Sequence, residues 1–196
     1  SVTVGKGANS VASNTVVGAT ALDANTTGAS NTAIGFGALT ETTTGSSNTS
    51  VGRLSLASNV TGQQNTAVGK GTLNANLASD NTAVGMNAML NNTTGAQNTA
   101  VGLSALLTNT TASNNTAVGY VALTANTTGA SNVAVGAYAL DANTTANNNT
   151  AIGYEALTDN TTGTQNVGVG YFALGNNTTA NNNTALGYIA LSANTT

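Results

Sequence analysis

Residues 115–131 read NTAVGYVALTANTTGAS, and residues 132–148 repeat nearly the same phrase, NVAVGAYALDANTTANN. The consensus over the chain is N-T-A-V-G-x-x-A-L-x-x-N-T-T-G-x-x, and its first Asn recurs every 17 residues, except for a spacing of 16 between Asn65 and Asn81. A shorter opening unit brings the number of units to twelve, the last of them incomplete. A fixed period of this length is typical of repeat architectures. These anchor asparagines are Asn14, Asn31, Asn48, Asn65, Asn81, Asn98, Asn115, Asn132, Asn149, Asn166 and Asn183.

Two columns of the repeat are large and almost always aliphatic, as at Val118 and Leu123, and a small residue precedes each, as at Ala117 and Ala122. Because neighbouring residues of a strand face opposite sides, each unit predicts two short strands with one bulky and one small face. We expect the two bulky columns to form the core. The glycine after the first strand and the N-T-T-G group supply turn residues.

The sequence therefore predicts an all-β fold, a parallel β-solenoid (β-roll) of about twelve coils of 17 residues. A helix is excluded, because no apolar stripe at i, i+3, i+4 and i+7 persists through the turn residues. Residues 1–196 form a single repeat domain, which we expect to be a segment of a longer fibre. Coils stacked about 4.8 Å apart would build a rod about 55 Å long.

The composition agrees with stacked coils. Charged residues make up only 5% of the chain, against about 25% in ordinary globular domains. In a stack, a charged column would place like charges opposite one another, which destabilises a sheet. An Asn column can hydrogen-bond to itself along the stack, so the sequence predicts an asparagine ladder. The absence of Pro fits as well, because nearly every backbone N–H is needed for a ladder.

Several classes of function are excluded by what the chain lacks. Three cations in a chain of net charge −3 cannot neutralise a phosphate track, so no nucleic-acid partner is expected. No apolar run approaches the roughly 20 residues of a membrane span, and no signal peptide is visible. Without His or Cys, the usual nucleophile pairs and zinc sites are impossible, so we expect no enzyme, no cofactor and no metal. Asp141, Glu155 and Asp159 lie on adjacent coils, where we interpret them as scattered loop charges rather than as a glycosidase pair.

Tyrosines recur in the column after the glycine, at Tyr120, Tyr154, Tyr171 and Tyr188, with Tyr138 one place later. The same column accepts Lys6, Arg53, Lys70, Met86 and Leu103, so we expect it to be partly exposed. A stacked aromatic row could bind sugar rings. The interpretation that we favour is packing of the rings between coils or chains.

Most coils contain an Asn-x-Thr sequon, a potential N-glycosylation site in a secretory setting. The interpretation that we favour is turn formation, with the Thr hydroxyls bonding locally. The sequons begin at Asn25, Asn59, Asn92, Asn109, Asn126, Asn143, Asn160, Asn177 and Asn194.

The motif NTAVGYVALTANTTGASN resembles the N-T-A-[IV]-G-Y-x-A-L-x-x-N-T-T-G repeats of long extracellular and phage tail-fibre-like proteins. It is also similar to the S-V-A-I-G-x-x-A coils in the heads of trimeric autotransporter adhesins, which form left-handed parallel β-rolls in homotrimers. The resemblance covers the whole chain. The repeat departs from the adhesin heads in its 17-residue spacing and its N-T-T-G insertion.

Together, the repeat and the resemblance indicate a structural segment of an extracellular fibre, filament or adhesin at a cell or virion surface. The expected partner is the chain itself, as a homo-oligomer or filament, because the small-residue columns would let another sheet or chain approach closely. A surface glycan or host receptor is a further expected partner. The alternative function is a ligand-binding solenoid surface, for carbohydrate or for ice.

Ice binding would use regular Thr columns on a flat face. The column of Thr32 shares its strand face with the Val column, so we expect it to lean inward with the core. The paired Thr of the N-T-T group, such as Thr127 and Thr128, cannot both face outward from a flat strand. The sequence alone therefore predicts no strong ice binding.

Overall fold

The computed structural model describes residues 4–195, which form a β-solenoid with one 12-stranded sheet in sequence order. From β2 onward every neighbouring pair is parallel and in register, whereas β1 runs antiparallel to β2. A 3-10 helix at Ala8–Ser10 joins those first two strands. The predicted fold class is confirmed. The strands are β1 Val4–Gly5, β2 Thr15–Val17, β3 Thr32–Ile34, β4 Thr49–Val51, β5 Thr66–Val68, β6 Thr82–Val84, β7 Thr99–Val101, β8 Thr116–Val118, β9 Val133–Val135, β10 Thr150–Ile152, β11 Val167–Val169 and β12 Thr184–Leu186.

Each coil holds one strand, so the second strand predicted around Leu123 is wrong. Val121 and Leu123 adopt left-handed backbone angles, with φ of 49° and 54°. These angles curl the chain so that Ala122 and Leu123, although adjacent, are both fully buried. The same segment bonds from coil to coil, since the Leu123 N–H donates to the Ala139 carbonyl oxygen at 2.9 Å. Satisfying these buried backbone groups offsets the cost of left-handed residues, about 1–2 kcal/mol each.

Only one of the two aliphatic columns fills the core. The Leu column, with Met89 in one coil, is fully buried from Leu22 to Leu174, and it faces the middle residue of each strand, which is small from β3 onward. The Val column points outward, with Ile34 37% exposed, so its predicted burial is wrong. The interior leaves little room beside the leucine, because a methyl group built on Gly168 would lie 3.3 Å from Leu157 Cγ. Among the described residues, only the coil of β2 pairs its buried leucine, Leu22, with a larger buried residue, Val16.

The first Asn of every coil forms what we call the anchor ladder. Each anchor side chain accepts, through Oδ1, the backbone N–H of the anchor Asn in the next coil, as when Asn115 accepts from Asn132 at 2.9 Å. Its Nδ2 donates to the carbonyl oxygen 14 residues on, which is Gly129 for Asn115. The anchor amides are buried from Asn14 to Asn166, and the predicted asparagine ladder is confirmed.

A second column, the turn ladder, begins the N-T-T-G group. Asn126 Nδ2 donates both to Asn109 Oδ1 in the preceding coil and to the Gly129 carbonyl oxygen within its own coil. The Gly129 carbonyl oxygen thus accepts from one amide of each ladder, at 2.9 Å in both bonds. This shared carbonyl explains why an asparagine of each ladder brackets the same short turn in all units from Asn14 onward except the one that has Thr42.

The glycine after each strand allows close backbone contact between coils. Gly119 has φ of +143°, and a methyl group built there would lie 2.4 Å from the Gly136 carbonyl oxygen. A side chain at this position would strain the backbone and collide with the next coil. The glycine column is therefore a requirement of the stack.

The single 16-residue unit, between Asn65 and Asn81, absorbs its missing residue in the turn. Asn76 Nδ2 donates to the Ala78 carbonyl oxygen two residues on, where the other coils span three. Asn65 Nδ2 reaches the same oxygen at 2.8 Å. Strand pairing on either side keeps its register, so the shorter turn leaves both ladders intact.

Candidate interaction surfaces

The outward face of the sheet carries two parallel rows of side chains, one from the first and one from the third residue of each strand. We call them the Thr row and the Val row. Neither row contains a charged residue, and the strand pairing aligns equivalent positions at every step from β2 to β12. The Thr row is Thr15, Thr32, Thr49, Thr66, Thr82, Thr99, Thr116, Val133, Thr150, Val167 and Thr184; the Val row is Val17, Ile34, Val51, Val68, Val84, Val101, Val118, Val135, Ile152, Val169 and Leu186.

The two rows do share a strand face, as the sequence analysis assumed, but that face is the solvent side. The inward position is the alanine between them, such as Ala33 at 0% exposure. The small columns around Ala117 and Ala122 are equally buried, so they offer no approach to another chain. The expected inward lean of the Thr32 column is therefore wrong, and with it the reason given against an ice-binding face.

Threonine hydroxyls divide into used and unused sets. In the N-T-T group the first Thr is partly buried in most coils, and in seven coils its hydroxyl bonds along the stack, as when Thr127 Oγ1 donates to the Thr144 carbonyl oxygen at 3.0 Å. Among the described residues, no hydroxyl of the Thr row has a hydrogen-bond partner within the protein. These hydroxyls are free to bind solvent or a ligand.

The tyrosines form one continuous ladder over five successive coils. Tyr154 stacks on Tyr171 with ring centroids 5.5 Å apart, and Tyr171 stacks on Tyr188 at 5.2 Å. Tyr138 packs edge-on between Tyr120 and Tyr154, at 5.3 and 5.9 Å. Its coil has Ala137 in the aromatic column, so the shift of Tyr by one position preserves the row.

Ring stacking leaves little aromatic surface for a sugar. A sugar ring needs the open face of an aromatic ring, and in Tyr154 and Tyr171 the faces lie against neighbouring tyrosines. The Tyr188 ring, in the final coil, is 75% exposed and is the exception. The geometry agrees with the packing interpretation, and the edges and hydroxyls of the ladder remain exposed.

Burial and neighbouring groups raise the pKa of two tyrosines in the ladder and of one carboxyl group near it. The Glu155 carboxylate raises the pKa of the Tyr154 phenol, by hydrogen bonding and by its charge. Desolvation, followed by the neighbouring Tyr120, raises the pKa of Tyr138. Desolvation also raises the pKa of Asp141, against the hydrogen bond that Thr158 Oγ1 donates to Asp141 Oδ1 at 2.6 Å.

Three cations lie earlier in the column after the glycine, the column that later holds most of the tyrosines. Lys6, Arg53 and Lys70 lie in the first coils, and the Arg53 guanidinium sits 5.9 Å from the centre of the Phe36 ring. An arrangement of this kind is worth about 0.5–1 kcal/mol at an exposed site. The column thus carries its cations in the first half of the rod and its tyrosines in the second half.

The sequon asparagines belong to the turn ladder. From Asn25 to Asn177 their side chains are at most 1% exposed, and Nδ2, the atom that would carry a glycan, donates to protein oxygens. Asn194 is half-buried and bonds to Asn177 Oδ1 at 3.1 Å. The folded coils leave no room for a glycan on the buried amides. An intact mass equal to the sequence mass would show that the sequons carry no glycan.

Within residues 4–195, no three His, Cys, Asp or Glu side chains come together as metal ligands. That part of the chain also contains no helix of the length and apolar character that a membrane crossing requires. Asp141 and Glu155 lie near the tyrosine ladder, where both charges contribute to the raised pKa of Tyr138, and the Asp159 charge contributes to the raised pKa of Asp141.

Comparisons of the chain with models of protein families, with curated proteins and with solved structures find no match. The resemblance to tail-fibre-like and adhesin repeats therefore stays a prediction.

Proposed function

We propose that the chain is a structural segment of an extracellular, self-assembling fibre, filament or adhesin. The observation that carries the proposal is the uniformity of the stack. At all ten steps of the anchor ladder, the backbone N–H to Oδ1 distance lies between 2.8 and 3.0 Å. A unit that adds to its own copies through one repeated interface builds a rod whose length is set by the number of units.

Self-assembly is supported by the bonds that join the coils. Each anchor Oδ1 accepts the backbone N–H of the next anchor Asn, as Asn115 accepts from Asn132 at 2.9 Å, and the strands of the two coils pair in parallel register. A coil of a second copy that stacked in the same register would form the same bonds.

Negative-stain electron microscopy of the purified chain over a concentration series tests the proposal, together with light scattering. We expect filaments or oligomers that grow with concentration. Isolated short particles at every concentration would contradict the proposal.

A location at a cell or virion surface, and a surface glycan or host receptor as partner, follow from the resemblance of the repeat and form part of the same proposal. A carbohydrate-binding surface is the weaker alternative, because the tyrosine faces are largely occupied by one another.

A further inference from the structure

We infer that the outward sheet face, formed by the Thr row and the Val row, binds crystalline water, that is, the surface of ice. The inference goes beyond the proposed structural role and rests on a different part of the molecule. It depends on the spacing of the two rows, on their chemistry, and on the absence of protein partners for their hydroxyls.

Spacing is the first step. Equivalent residues recur about 4.8 Å apart along the stack, and the two rows lie about 6.6 Å apart across each strand. Second-neighbour oxygens in ice are joined by two hydrogen bonds of about 2.8 Å at the tetrahedral angle, so they lie about 4.5 Å apart, which is close to the step along the stack. The uniform anchor-ladder bonds, 2.8 to 3.0 Å at every step, hold successive coils at a constant offset. Side-chain ladders of this kind also oppose the twist that would break the match over many strands.

Chemistry is the second step. Thr15 to Thr116 supply seven consecutive hydroxyls, one per coil, none of which bonds to the protein. The methyl groups of the same residues and of the Val row, such as Val68 at 36% exposure, cannot hydrogen-bond to water. Water over such methyl groups keeps its bonds to other water molecules. Regularly placed hydroxyls can anchor that layer in a fixed register.

The third step is to decide whether water or a protein partner binds to this face. A dry protein partner would bury the free hydroxyls, and each unpaired hydroxyl would cost about 1–3 kcal/mol. The rows also lack the aromatic and Arg side chains that anchor protein interfaces. Water can form hydrogen bonds with every hydroxyl, and the methyl groups require no such partner. The face therefore favours ordered water over a second copy of the chain.

Thermal hysteresis of the purified full chain, the gap between the melting and freezing temperatures of a small ice crystal, tests the inference. The informative variant is Thr82→Lys, in the middle of the Thr row. The matched control is Thr94→Lys, in the same coil, where the second Thr of the N-T-T group is also exposed and has no hydrogen-bond partner on its hydroxyl. Thr82→Val replaces only the hydroxyl by a methyl group of similar size, so a loss of activity in this variant would not come from misfolding. Sedimentation and circular dichroism of each variant accompany the measurement.

We expect the unmodified chain to show a freezing gap with faceted crystals. Thr82→Lys should lose most of that gap and Thr82→Val a part of it, whereas Thr94→Lys should keep it. Val133→Thr combined with Val167→Thr completes eleven consecutive hydroxyls and should widen the gap. No gap in the unmodified chain, or equal losses in the two Lys variants, overturns the inference. So does an oligomer that dissociates in Thr82→Lys alone, because the face would then be a protein interface.

Discussion

A single residue interrupts the turn ladder near its start. In the complete part of this ladder, the Nδ2 of each Asn donates to the Oδ1 of the Asn one coil earlier. The column has Thr42 where the consensus has Asn, and Asn25 Oδ1 is buried without a partner. A buried acceptor without a donor destabilises a fold by about 1–3 kcal/mol.

Thr42→Asn should repair the ladder. The new Nδ2 can donate to Asn25 Oδ1 and to the Gly45 carbonyl oxygen, as its counterparts do, at the loss of the 2.6 Å bond from Thr42 Oγ1 to the Asn59 carbonyl oxygen. We expect the free energy of unfolding to rise by about 1 kcal/mol, measured by chemical denaturation. Thr43→Asn, one residue later, fills no gap and should not stabilise the chain. A loss of stability in Thr42→Asn would show that the bond from the Thr42 hydroxyl contributes more to the free energy of unfolding than the completed ladder does.

Asp141 gives the stability of the chain a pH dependence. Desolvation raises the pKa of its half-buried carboxyl, so the folded state binds the proton more tightly than the unfolded state. The contribution to stability is then fully present below the unfolded pKa and is lost as pH rises through the folded pKa.

Asp141→Asn should therefore raise the unfolding midpoint at neutral pH, and the advantage over the native chain should shrink as the pH falls into the carboxyl range. The Asn oxygen can still accept the hydrogen bond from Thr158. Asp23→Asn, in the same column but exposed, is the control and should change the midpoint less. Thermal unfolding at several pH values measures both variants; an advantage of Asp141→Asn that grows at low pH would contradict the assignment.

At the scale of the element, the strand and both asparagine columns follow from the sequence, because their causes are local and repeated. Asn can bond to its own copy, and the spacing of 17 residues places the copies in register. The outward direction of the Val row does not follow. Large residues usually face a core, and only the thinness of this coil, seen where Leu157 abuts Gly168, reverses the rule.

The Ala-Leu segment was missed for a related reason. Its alternation of small and large residues is typical of a strand, whereas Leu123 adopts φ of 54°. Left-handed leucine is unfavourable in isolation, and only the bonds to neighbouring coils make it stable. Such a conformation is a property of the stack, which local propensity cannot reveal. The direction of the Thr row was also predicted wrongly, because it was inferred from the predicted direction of the Val row.

The 16-residue unit predicts where a coil tolerates a change of length. Inserting a Thr between Leu77 and Ala78 restores the N-T-T-G length and leaves both ladders in place, so the free energy of unfolding should change by no more than about 0.5 kcal/mol. Inserting a Thr between Ala83 and Val84 shifts β6 by one residue and would turn Val84 inward. Thermal unfolding followed by circular dichroism should show a large loss only for the second variant. Equal losses would mean that the turn is as constrained as the strand.

At the scale of the molecule, the rod is a sum of nearly identical steps. Its length is therefore set by the number of coils, and each coil contacts only its neighbours. A weak second period is visible late in the chain, where the residue after the N-T-T group alternates between Gly and Ala, as at Gly129 and Ala146. A methyl group built on Gly129 would lie 2.2 Å from the Ala146 carbonyl oxygen, so the coils with glycine leave no room for a side chain at this position. The natural unit of deletion is thus two coils.

Deleting residues 115–148 removes one such pair and joins Asn114 to the next anchor, Asn149, with the alternation intact. The shortened chain should fold with the same circular dichroism per residue. Its longest dimension, measured by small-angle X-ray scattering under conditions that keep single particles, should fall by about 10 Å, which is two steps of the stack. Deleting residues 115–140 instead removes a fractional number of coils and joins Asn114 to Asp141. Both ladders and the Leu column then lose register on one side of the junction, and cooperative unfolding should be lost or split in two. If that second deletion folded as well as the first, register between coils would not be what holds the rod together.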